Sequence, residues 1–542
     1  MNTARVSFGL AAAALLSAAV GYVVGRGGSE TGPVVGSLWH ASTLRERVTL
    51  DTQALVTQKM GKQALLERVE GTGTLLPGAL RGLSMAPGRD GLRLRADSEW
   101  VYITPTDLLA AQAYDRAQST GIGLTFGVDF AKVDALAKAR LGRRMPASPR
   151  YERVRFSAPF WAEAPTRPAL DAQPAGLRAR AFAGADYLAR VTHDDGTFRY
   201  EVRATTAEEA ADYNWVRHAG TAWFLARAAR LSGSASHRNA AQKALRALRT
   251  SAYQSCGAYA CIGKGESVAE LGASALGLLA FLEFDRESSE AAFTDEVAKL
   301  SAFLLAAQKP NGDFNHGFDR RTGAFVDTFR MYYSGEATLA LARHAALNTQ
   351  ATSSRDAASR ALQFLAEKSW HFPGSRYYVS EEHWTCLALE ELWDKAPSEV
   401  GLRFCLDWAE VIRAQRIREG QGPDADVGAS RVAPVFAPRL TPVASRAEAL
   451  TAILAVLRRS GRLPSERTRL EEDVRASLTV LAKYQFGYGH PTAVLVANPT
   501  LMHGSFPTSR TLWDVRIDSV QHAGNAFLNF AATEDGVALV TR

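Results

Sequence analysis

Several common functional signatures are missing from this sequence, and each absence excludes a class of protein. None of the 11 histidines lies in an H-x3-H or H-E-x-x-H spacing, which argues against a metalloprotease. There is no G-x-S-x-G motif, no phosphate-binding loop and no dinucleotide fingerprint. No run of basic residues is interleaved with aromatic ones, although 63 Lys+Arg against 56 Asp+Glu give a net charge of +7. We therefore expect no nucleic-acid partner, no metal and no cofactor.

What is present is typical of a globular protein with more than one domain. Apolar residues make up 46% of the 542 residues and charged residues 22%, which excludes wholesale disorder. A chain of this length is too long for a single small core. Composition therefore favours two folded domains behind an export segment.

The first 26 residues predict that the protein leaves the cytoplasm. Residues 6–24 are 19 uncharged, mostly apolar residues, preceded by Arg5 and followed by a Gly-rich tether over 27–37. No small-x-small cleavage site follows them, and no cysteine is present there to accept a lipid. We expect an uncleaved anchor in the inner membrane, with the body exported to a periplasmic or other extracytoplasmic space; a cleaved signal peptide is the alternative.

The chain has only 4 cysteines. Cys256 and Cys261 lie five apart in a loop between two predicted helices, and in an oxidising compartment this spacing favours a disulfide. Zinc is the alternative for that pair, but a single C-x4-C without nearby partner ligands is a weak signal. Cys386 and Cys405 lie on predicted helix faces, where we expect buried small hydrophobic residues.

Residues 38–144 predict a small α+β domain. Residues 38–59 look helical, 91–104 alternate like a hairpin of two strands, and 105–118 and 130–141 look helical again. Residues 145–176, which are rich in proline, indicate an interdomain linker or an edge strand.

From residue 177 to the end, one arrangement repeats six times: a helix, a loop rich in Gly, aromatic and acidic residues, and a second, more apolar helix. Such a period of about 50–60 residues indicates an array of helical hairpins. An apolar helix belongs inside and a helix with charged stripes outside, so we expect an inner and an outer ring of six helices. The twelve predicted helices lie near 177–191, 212–231, 236–250, 267–284, 289–307, 333–347, 354–368, 381–395, 398–415, 445–460, 466–484 and 518–532.

Motifs at the starts of the second helices, or in the loops that lead into them, resemble a known superfamily. They are YNWVRHAG (213–220), QKPNGDF (308–314), YYSGEA (332–337), EHW (382–384), SRAE (445–448) and RIDSVQH (516–522). Together they resemble the six-hairpin superfamily of glycosidases, polysaccharide lyases and sugar epimerases over residues 177–533. The resemblance implies an (α/α)6 toroid of six helical hairpins, but it carries no catalytic signature of a single family.

In a toroid the starts of the inner helices converge at one end, so these scattered polar residues would share a site. We expect four catalytic candidates: Asp518, His522, Glu336 and Glu382. The expected substrate-binding residues are Tyr213, Asn214, Arg217, His218, Tyr333, His383, Trp384, Arg446, Glu448, Arg516 and Gln521. Asp194, Asp195, Glu270, Trp215 and Tyr332 lie near the same positions.

Each candidate also has a structural interpretation. Asp195 and Asp313 sit in turn-forming pairs, and an acid in the first turn of a helix, such as Glu336, stabilises the helix dipole whatever its function. His218 can be a hydrogen-bonded core residue. Arg516 and Asp518 can form a buried ion pair. His522 lies one turn after Asp518 on the same face, which makes this pair the best single candidate for an oriented general acid and base.

Two carboxyl groups would serve the hydrolysis of a glycosidic bond, whereas Tyr, His and Arg suit epimerisation of, or elimination at, a uronic acid. Our first hypothesis is therefore an exported carbohydrate-active enzyme, resembling glycoside hydrolases, that acts on a cell-envelope or extracellular glycan. The second is a non-catalytic toroid that binds a glycan or peptide and assists envelope assembly. An isoprenoid-type cyclase is a third hypothesis.

Overall fold

The computed structural model describes residues 32–536, with gaps at 41–42, 77–80, 82–83, 98, 117–124, 143–144, 147–148, 163–169, 264, 266, 287–291, 370–382, 432–436 and 489–490. The predicted anchor at 6–24 lies outside the described residues. Within them the chain folds into an N-terminal sheet region followed by a double ring of helices.

The N-terminal region is built on an antiparallel sheet of seven strands. Its main path has the order β2-β1-β3-β8-β4-β5, and β9 pairs with β3. A small ribbon of β6 and β7 and three short helices complete the region. The strands are β1 Val34–His40, β2 Thr43–Leu50, β3 Leu65–Gly73, β4 Asp90–Ala96, β5 Glu99–Ile103, β6 Tyr114–Arg116, β7 Thr125–Val128, β8 Tyr151–Phe156 and β9 Phe160–Trp161, and the helices are α1 Gln53–Met60, α2 Pro105–Ala110 and α3 Phe130–Leu141.

The sequence predicted this region in part. The hairpin at 91–104 is confirmed as the antiparallel pair β4–β5, and the helix at 130–141 is confirmed as α3. The helix expected over 38–59 is wrong for half of that segment, which forms the end of β1 and all of β2, and only its last residues belong to α1. The interpretation of 145–176 as a linker or edge strand is also wrong for β8, which lies inside the sheet between β3 and β4. That segment contains six prolines, and for this reason its short strand of alternating polar and apolar residues was not predicted as a central strand.

All twelve predicted helices of the second region are present. The outer helices are α4 Pro174–Arg190, α6 Ala235–Ser251, α8 Thr294–Ala307, α10 Thr352–Glu367, α12 Glu399–Ala414 and α14 Pro464–Tyr484. The inner helices are α5 Trp215–Ser232, α7 Leu271–Asp285, α9 Tyr333–Leu347, α11 His383–Leu392, α13 Leu440–Ser460 and α16 Ile517–Glu534, while α15 Pro499–Met502 is a single turn. Each inner helix packs on the next, and α16 packs back on α5, so the inner ring is closed.

Burial separates the two rings as the hydrophobic pattern predicted. The inner helix α7 buries 13 of its 15 residues, whereas the outer helix α6 buries one face and keeps its arginines outside. α13 is long and apolar enough to cross a membrane by composition, but 89% of its apolar window is buried inside the ring. Its hydrophobicity therefore serves the core of the toroid.

The two ends of the ring differ. Where α5 passes to α6, Gly233 ends one helix in the left-handed region (φ 65°) and Ser234 caps the next, so the turn is tight. At the opposite end, outer helices connect to inner helices through long segments such as 191–214 and 308–332, which carry short strands. These strands are β10 Glu201–Arg203, β11 Tyr253–Cys256, β12 Tyr259–Ile262, β13 Val268–Glu270, β14 Gly317–Asp319, β15 Ala324–Val326 and β16 Asp514–Arg516. We call this end, where the inner helices begin, the mouth.

Ion pairs fill the ring at the end remote from the mouth. The buried Arg343 donates from Nε to Glu391 at 2.6 Å and from Nη1 to Glu283 at 3.0 Å. Arg230 also donates to Glu283, at 2.8 Å. These residues lie in the last turns of the inner helices. The remote end is thus occupied by compensated charges.

The N-terminal sheet region packs against the toroid through a shared core. One hydrophobic cluster contains residues of both regions, including Leu94 and Phe506. Arg510 of the toroid bonds the backbone carbonyl of Pro87, and its Nε donates to Asp426 at 2.8 Å. Gln112 also donates to Thr205 at 2.8 Å. The sheet region is therefore docked beside the long connections at the mouth.

Both cysteine pairs form disulfides. Cys256 is joined to Cys261 across the β11–β12 hairpin. Cys386 is joined to Cys405, so the interpretation of these two as separate buried hydrophobic residues is wrong. The second bridge ties the inner helix α11 to the outer helix α12. The two cysteines are 19 residues apart in the sequence. Their pairing was not predicted, because only the geometry of the helical hairpin brings them together.

Candidate functional site

The N-terminal halves of the inner helices place most of the predicted site residues around the mouth. Tyr333 and Glu336 lie on α9, His383 and Trp384 on α11, and Arg446 and Glu448 on α13. α16 carries Asp518, Gln521 and His522, and the segment before it ends in Arg516. Arg217 and His218 lie in the first turn of α5. Glu382 lies outside the described residues.

At the centre of this group His522 pairs with Glu448. His522 Nδ1 lies 3.0 Å from Glu448 Oε1, and both side chains are buried. An Nδ1–H that donates to the carboxylate leaves the lone pair on Nε2, which is the arrangement of an oriented general base. Spacing along the helix favours Asp518 as the partner of His522, but the carboxylate partner in the structure is Glu448.

Aromatic rings surround this imidazole. The ring of His383 lies 5.1 Å from that of His522 and 4.2 Å from that of Trp384, measured between centroids. Trp384 in turn lies 5.8 Å from His522. These contacts fix the plane of the imidazole and keep its surroundings poor in water.

Among the described residues, Glu336 is a buried acid without a cationic partner in bonding distance. The residue is 4% exposed, and its Oε2 atom has no hydrogen-bond partner in the part of the chain that the structure describes. Burial raises the pKa of Glu336 to about 8, against the opposing effects of His522 and Arg217. At neutral pH the group is therefore protonated and able to donate a proton.

Tyr333 and Glu270 lie beside this acid. Burial raises the pKa of the Tyr333 phenol above its ordinary range, and the carboxylates of Glu270 and Glu336 add to the shift. Glu270 precedes α7, where it also lies 3.5 Å from Arg330. The mouth thus holds two neutral proton donors, a phenol and a carboxylic acid, side by side.

Asp518 is already compensated by two arginines. Arg516 donates to it from two nitrogens, at 2.6 and 2.8 Å, and Arg217 donates from Nε at 2.9 Å. Burial alone would raise the pKa of Asp518, but Arg516 and Arg217 hold it well below the ordinary range. Arg217 also donates to the Tyr200 hydroxyl at 2.9 Å. This carboxylate positions the arginines and is a poor proton donor.

Three of the predicted binding residues hold the fold of the first hairpin. Asn214 caps α5 by accepting the Arg217 amide at 3.0 Å. His218 is fully buried, with Nδ1 2.6 Å from the Tyr213 hydroxyl and Nε2 2.9 Å from the Ala244 carbonyl. Burial lowers the pKa of His218 to about 4, so the ring is neutral. These contacts fit the structural interpretation of His218.

The remaining predicted residues lie inside the ring or on its surface. Gln521 is 2% exposed and Arg446, whose Nη1 donates to Ser430 at 2.8 Å, is also 2% exposed. Asp194 is an exposed partner of Lys243, and Asp195 accepts the Thr197 amide at 2.9 Å in a turn. Among the described candidates, the structure therefore gathers Glu336, Tyr333, His383, Glu448 and His522 most closely.

His383, Glu448 and His522 also suggest a metal site, since one ligand atom from each lies within 4.8 Å of the others. Ligand atoms about 2.1 Å from a zinc ion lie roughly 3.4 Å apart in a tetrahedron. Atoms within 4.8 Å of one another allow that spacing, and in this structure His522 Nδ1 is bonded to Glu448. This hydrogen bond arranges the pair for moving a proton.

Two glycines that are not among the predicted site residues make room for this site. A Cβ on Gly272 would lie 2.3 Å from Glu336 Oε2 and 2.5 Å from the Tyr333 ring. A Cβ on Gly220 would lie 2.6 Å from Gln521 Oε1. Glycine weakens a helix by about 1 kcal/mol relative to alanine. Its presence near the start of an apolar inner helix was the available signal that another group must approach there.

Comparison with solved structures identifies the architecture. A D-mannose isomerase superposes with a TM-score of 0.51 and 12% identity, covering 68% of this chain and 100% of its own. The chain is an (α/α)6 toroid. A sugar epimerase from a ruminal bacterium superposes with a TM-score of 0.49 at 14% identity, covering 68% of this toroid protein and all of its own chain. An α-1,6-mannanase from Salegentibacter sp. superposes with a TM-score of 0.45 at 13% identity. The match covers 66% of this chain and 99% of the mannanase chain.

At the level of sequence, the toroid matches no protein-family profile and no curated protein. The fold is therefore established by the closed ring and its structural likeness. The chemistry has to be argued from the site.

Proposed function

We propose that this toroid is a carbohydrate-active enzyme that moves protons at a sugar bound in the mouth. Glu336 is the general acid, and His522, oriented by Glu448, is the general base. The reaction that fits these groups is isomerisation or epimerisation, in which a base removes a proton from the carbon beside a carbonyl. The acid polarises the carbonyl oxygen at the same time.

The observation that carries the proposal is the uncompensated burial of Glu336 near the His522–Glu448 pair. A buried carboxyl without a partner costs stability, and such costs are retained at functional sites. His522 is close enough to Glu336 to oppose its pKa shift electrostatically. Proton transfer requires one group that is protonated and another that is not at the same pH, and different environments can keep an acid and a base in these two states.

Hydrolysis by two carboxylates has less support from the described residues. It needs one protonated carboxyl and a second that is available as base or nucleophile. Asp518 is held by two arginines, and Glu448 is bonded to His522. Of the two carboxyl groups in the predicted catalytic set that can be described, Asp518 and Glu336, only Glu336 remains.

Hydrogen exchange at carbon tests the proposal directly. The full-length protein is incubated in D2O with aldoses and reducing disaccharides of glucose, mannose and galactose, and deuterium uptake at C2 is followed by NMR. Glu336→Gln and His522→Asn should each slow the exchange by about 10²- to 10⁴-fold. Glu399→Gln, an exposed change on the outer helix α12, is the control and should exchange at the wild-type rate.

Each outcome of this assay has a clear meaning. Exchange that is unaffected in both site variants would remove the assignment of acid and base. Release of reducing ends from polysaccharides without C2 exchange would replace isomerisation by hydrolysis. Binding of glycans without either reaction would favour the non-catalytic toroid. Conversion of an isoprenoid substrate would favour the cyclase.

We also propose that the enzyme works outside the cytoplasm, anchored by residues 6–24, on a glycan of the cell envelope or its surroundings. The two disulfides support an oxidising compartment, because such bonds are rare in the cytosol. A fusion of alkaline phosphatase to the C-terminus should be active in cells if the body is exported. Activity confined to a cytoplasmic reporter fused at the same point would contradict the location.

A further inference from the structure

One large aromatic side chain is exposed beside the mouth. Phe329 is 57% exposed, and only two other large apolar side chains, Leu55 and Leu463, are comparably exposed among the described residues. Phe329 lies in the segment 327–332 that connects β15 to α9. That helix carries Tyr333 and Glu336 in its first turn, so the exposed ring belongs to the rim of the proposed site.

A series of rings leads from Phe329 to the buried acid. The centroid of the Phe329 ring lies 6.0 Å from that of His316, and the His316 centroid lies 5.8 Å from that of Tyr333. The Tyr333 ring and Glu336 Oε2 both approach Gly272. The series therefore runs from a ring that is mostly in solvent to a carboxyl that is buried.

Hydrogen bonds hold the exposed ring in place. The Arg330 amide donates to His316 Nδ1 at 2.8 Å, and His316 Nε2 lies 2.7 Å from Ser334 Oγ. Ser334 Oγ donates to Asp313 at 2.7 Å. Since His316 Nδ1 accepts, Nε2 carries the hydrogen and donates to Ser334. The chain that follows Phe329 is thus fixed, and the ring of Phe329 lies against the ring of His316.

Polar groups flank the exposed ring. The Arg330 side chain is 57% exposed, and its Nε lies 3.5 Å from the Glu270 carboxylate. A flat apolar face beside charged hydrogen-bonding groups matches one face of a hexose, which presents C–H groups toward a ring and hydroxyls at its edge. A protein partner would be expected to need a larger continuous apolar patch than a single phenyl ring.

We infer that Phe329, with Arg330 and Glu270, forms an outer subsite that binds a second sugar unit, so that the substrate is an oligosaccharide or polysaccharide chain extending out of the mouth. This rests on the proposed function in placing the reacting sugar near Glu336. It goes beyond that function because acid–base chemistry at Glu336 requires a single sugar only. The outer subsite would hold the rest of the substrate's sugar chain against the segment 327–332.

Affinity electrophoresis of the full-length protein tests this inference without relying on turnover. The probes are soluble mannan, xylan, hydroxyethylcellulose and polygalacturonate cast in native gels. At least one probe should retard the wild-type protein, and Phe329→Ala should weaken that binding about five- to tenfold. Phe329→Trp should restore it. Leu463→Ala, an equally apolar exposed change at the remote end of the ring, should bind like the wild type.

Failure of this inference can be separated from failure of the proposed function by including Glu336→Gln, which should bind as the wild type does while losing exchange at C2. Equal retardation of Phe329→Ala and the wild type would overturn the outer subsite. So would a wild-type protein retarded by none of the four probes. If Phe329→Ala loses binding while Glu336→Gln keeps full activity, the subsite stands and the proposed acid does not.

Discussion

Replacing Glu336 by glutamine tests whether the fold holds this carboxyl neutral. Glutamine keeps the size and shape of a protonated glutamic acid but cannot ionise. The pKa of Glu336 is about 8 in the folded protein, against an ordinary value of 4.5. The unfolded chain therefore loses this proton at a lower pH than the folded chain does. The free energy of unfolding of the wild type must fall as the pH rises between these two values.

The size of the effect follows from the pKa difference. Each pKa unit corresponds to about 1.4 kcal/mol, so by pH 7 the wild-type carboxyl costs the fold about 3 kcal/mol, a figure that applies to a fully buried group. The Glu336→Gln variant avoids this cost. It should match the wild type near pH 4.5, exceed its stability by about 3 kcal/mol at pH 7, and gain little more above pH 8. Activity should fall as stability rises.

Urea unfolding at pH 5, 7 and 9, followed by circular dichroism with the disulfides intact, measures this difference. The control is Glu399→Gln, whose carboxyl has a lowered pKa because of its hydrogen bond to Arg462. That variant should show no gain in stability at high pH. Parallel pH profiles for the wild type and Glu336→Gln would show that the carboxyl titrates normally. The acid at the centre of the proposed function would then be ionised at neutral pH.

Three further predictions concern the surroundings of this acid. Gly272→Ala should cut activity at least tenfold with unchanged helicity, since its Cβ would lie 2.3 Å from Glu336 Oε2; wild-type activity would contradict the close approach. Asp518→Asn should lower the free energy of unfolding by about 1.5–3 kcal/mol in urea melts at pH 7, because two partly exposed arginines lose their bonds to a buried carboxylate; an unchanged midpoint would contradict this ion-pair cluster. A Cys386→Ser, Cys405→Ser double variant should lose about 3 kcal/mol of unfolding free energy, because the disulfide no longer closes a 19-residue loop. The variant that lacks the β11–β12 disulfide is the control. Equal stability of the oxidised wild type and the double variant would contradict the bridge.

The sequence was sufficient to predict the toroid because each of its helices carries a local signal. α7 is apolar on all sides and α6 on one side, so the assignment to inner and outer ring required no long-range information. The N-terminal sheet was harder to predict. β2 reads TLRERVTL, a strand with one buried residue, and its polar residues gave a pattern that fitted a helix equally well.

The position of the candidate site could be predicted from the sequence, but the pairing of its side chains could not. The starts of the inner helices could be identified as a group, and Glu336, His522 and Glu448 were among them. Which carboxylate meets His522 depends on a contact between residues 74 apart, on α13 and α16. Spacing along one helix favoured Asp518, because i and i+4 share a face. In the structure, Arg217 on α5 and Arg516 at the end of β16 bind that carboxylate instead.

Closure of the ring explains why these pairings span the whole toroid. Arg217 on the first inner helix contacts Asp518 on the last, across 301 residues, and Arg227 bonds Asn525 across 298. His522 belongs to the same last helix, which packs against both α13 and α5. A site that draws on α5, α9, α13 and α16 exists only when the sixth hairpin has returned to the first. The proposed acid–base pair therefore depends on the closed ring, and a chain that ends before residue 517 would lack both His522 and the helix that packs over Glu448.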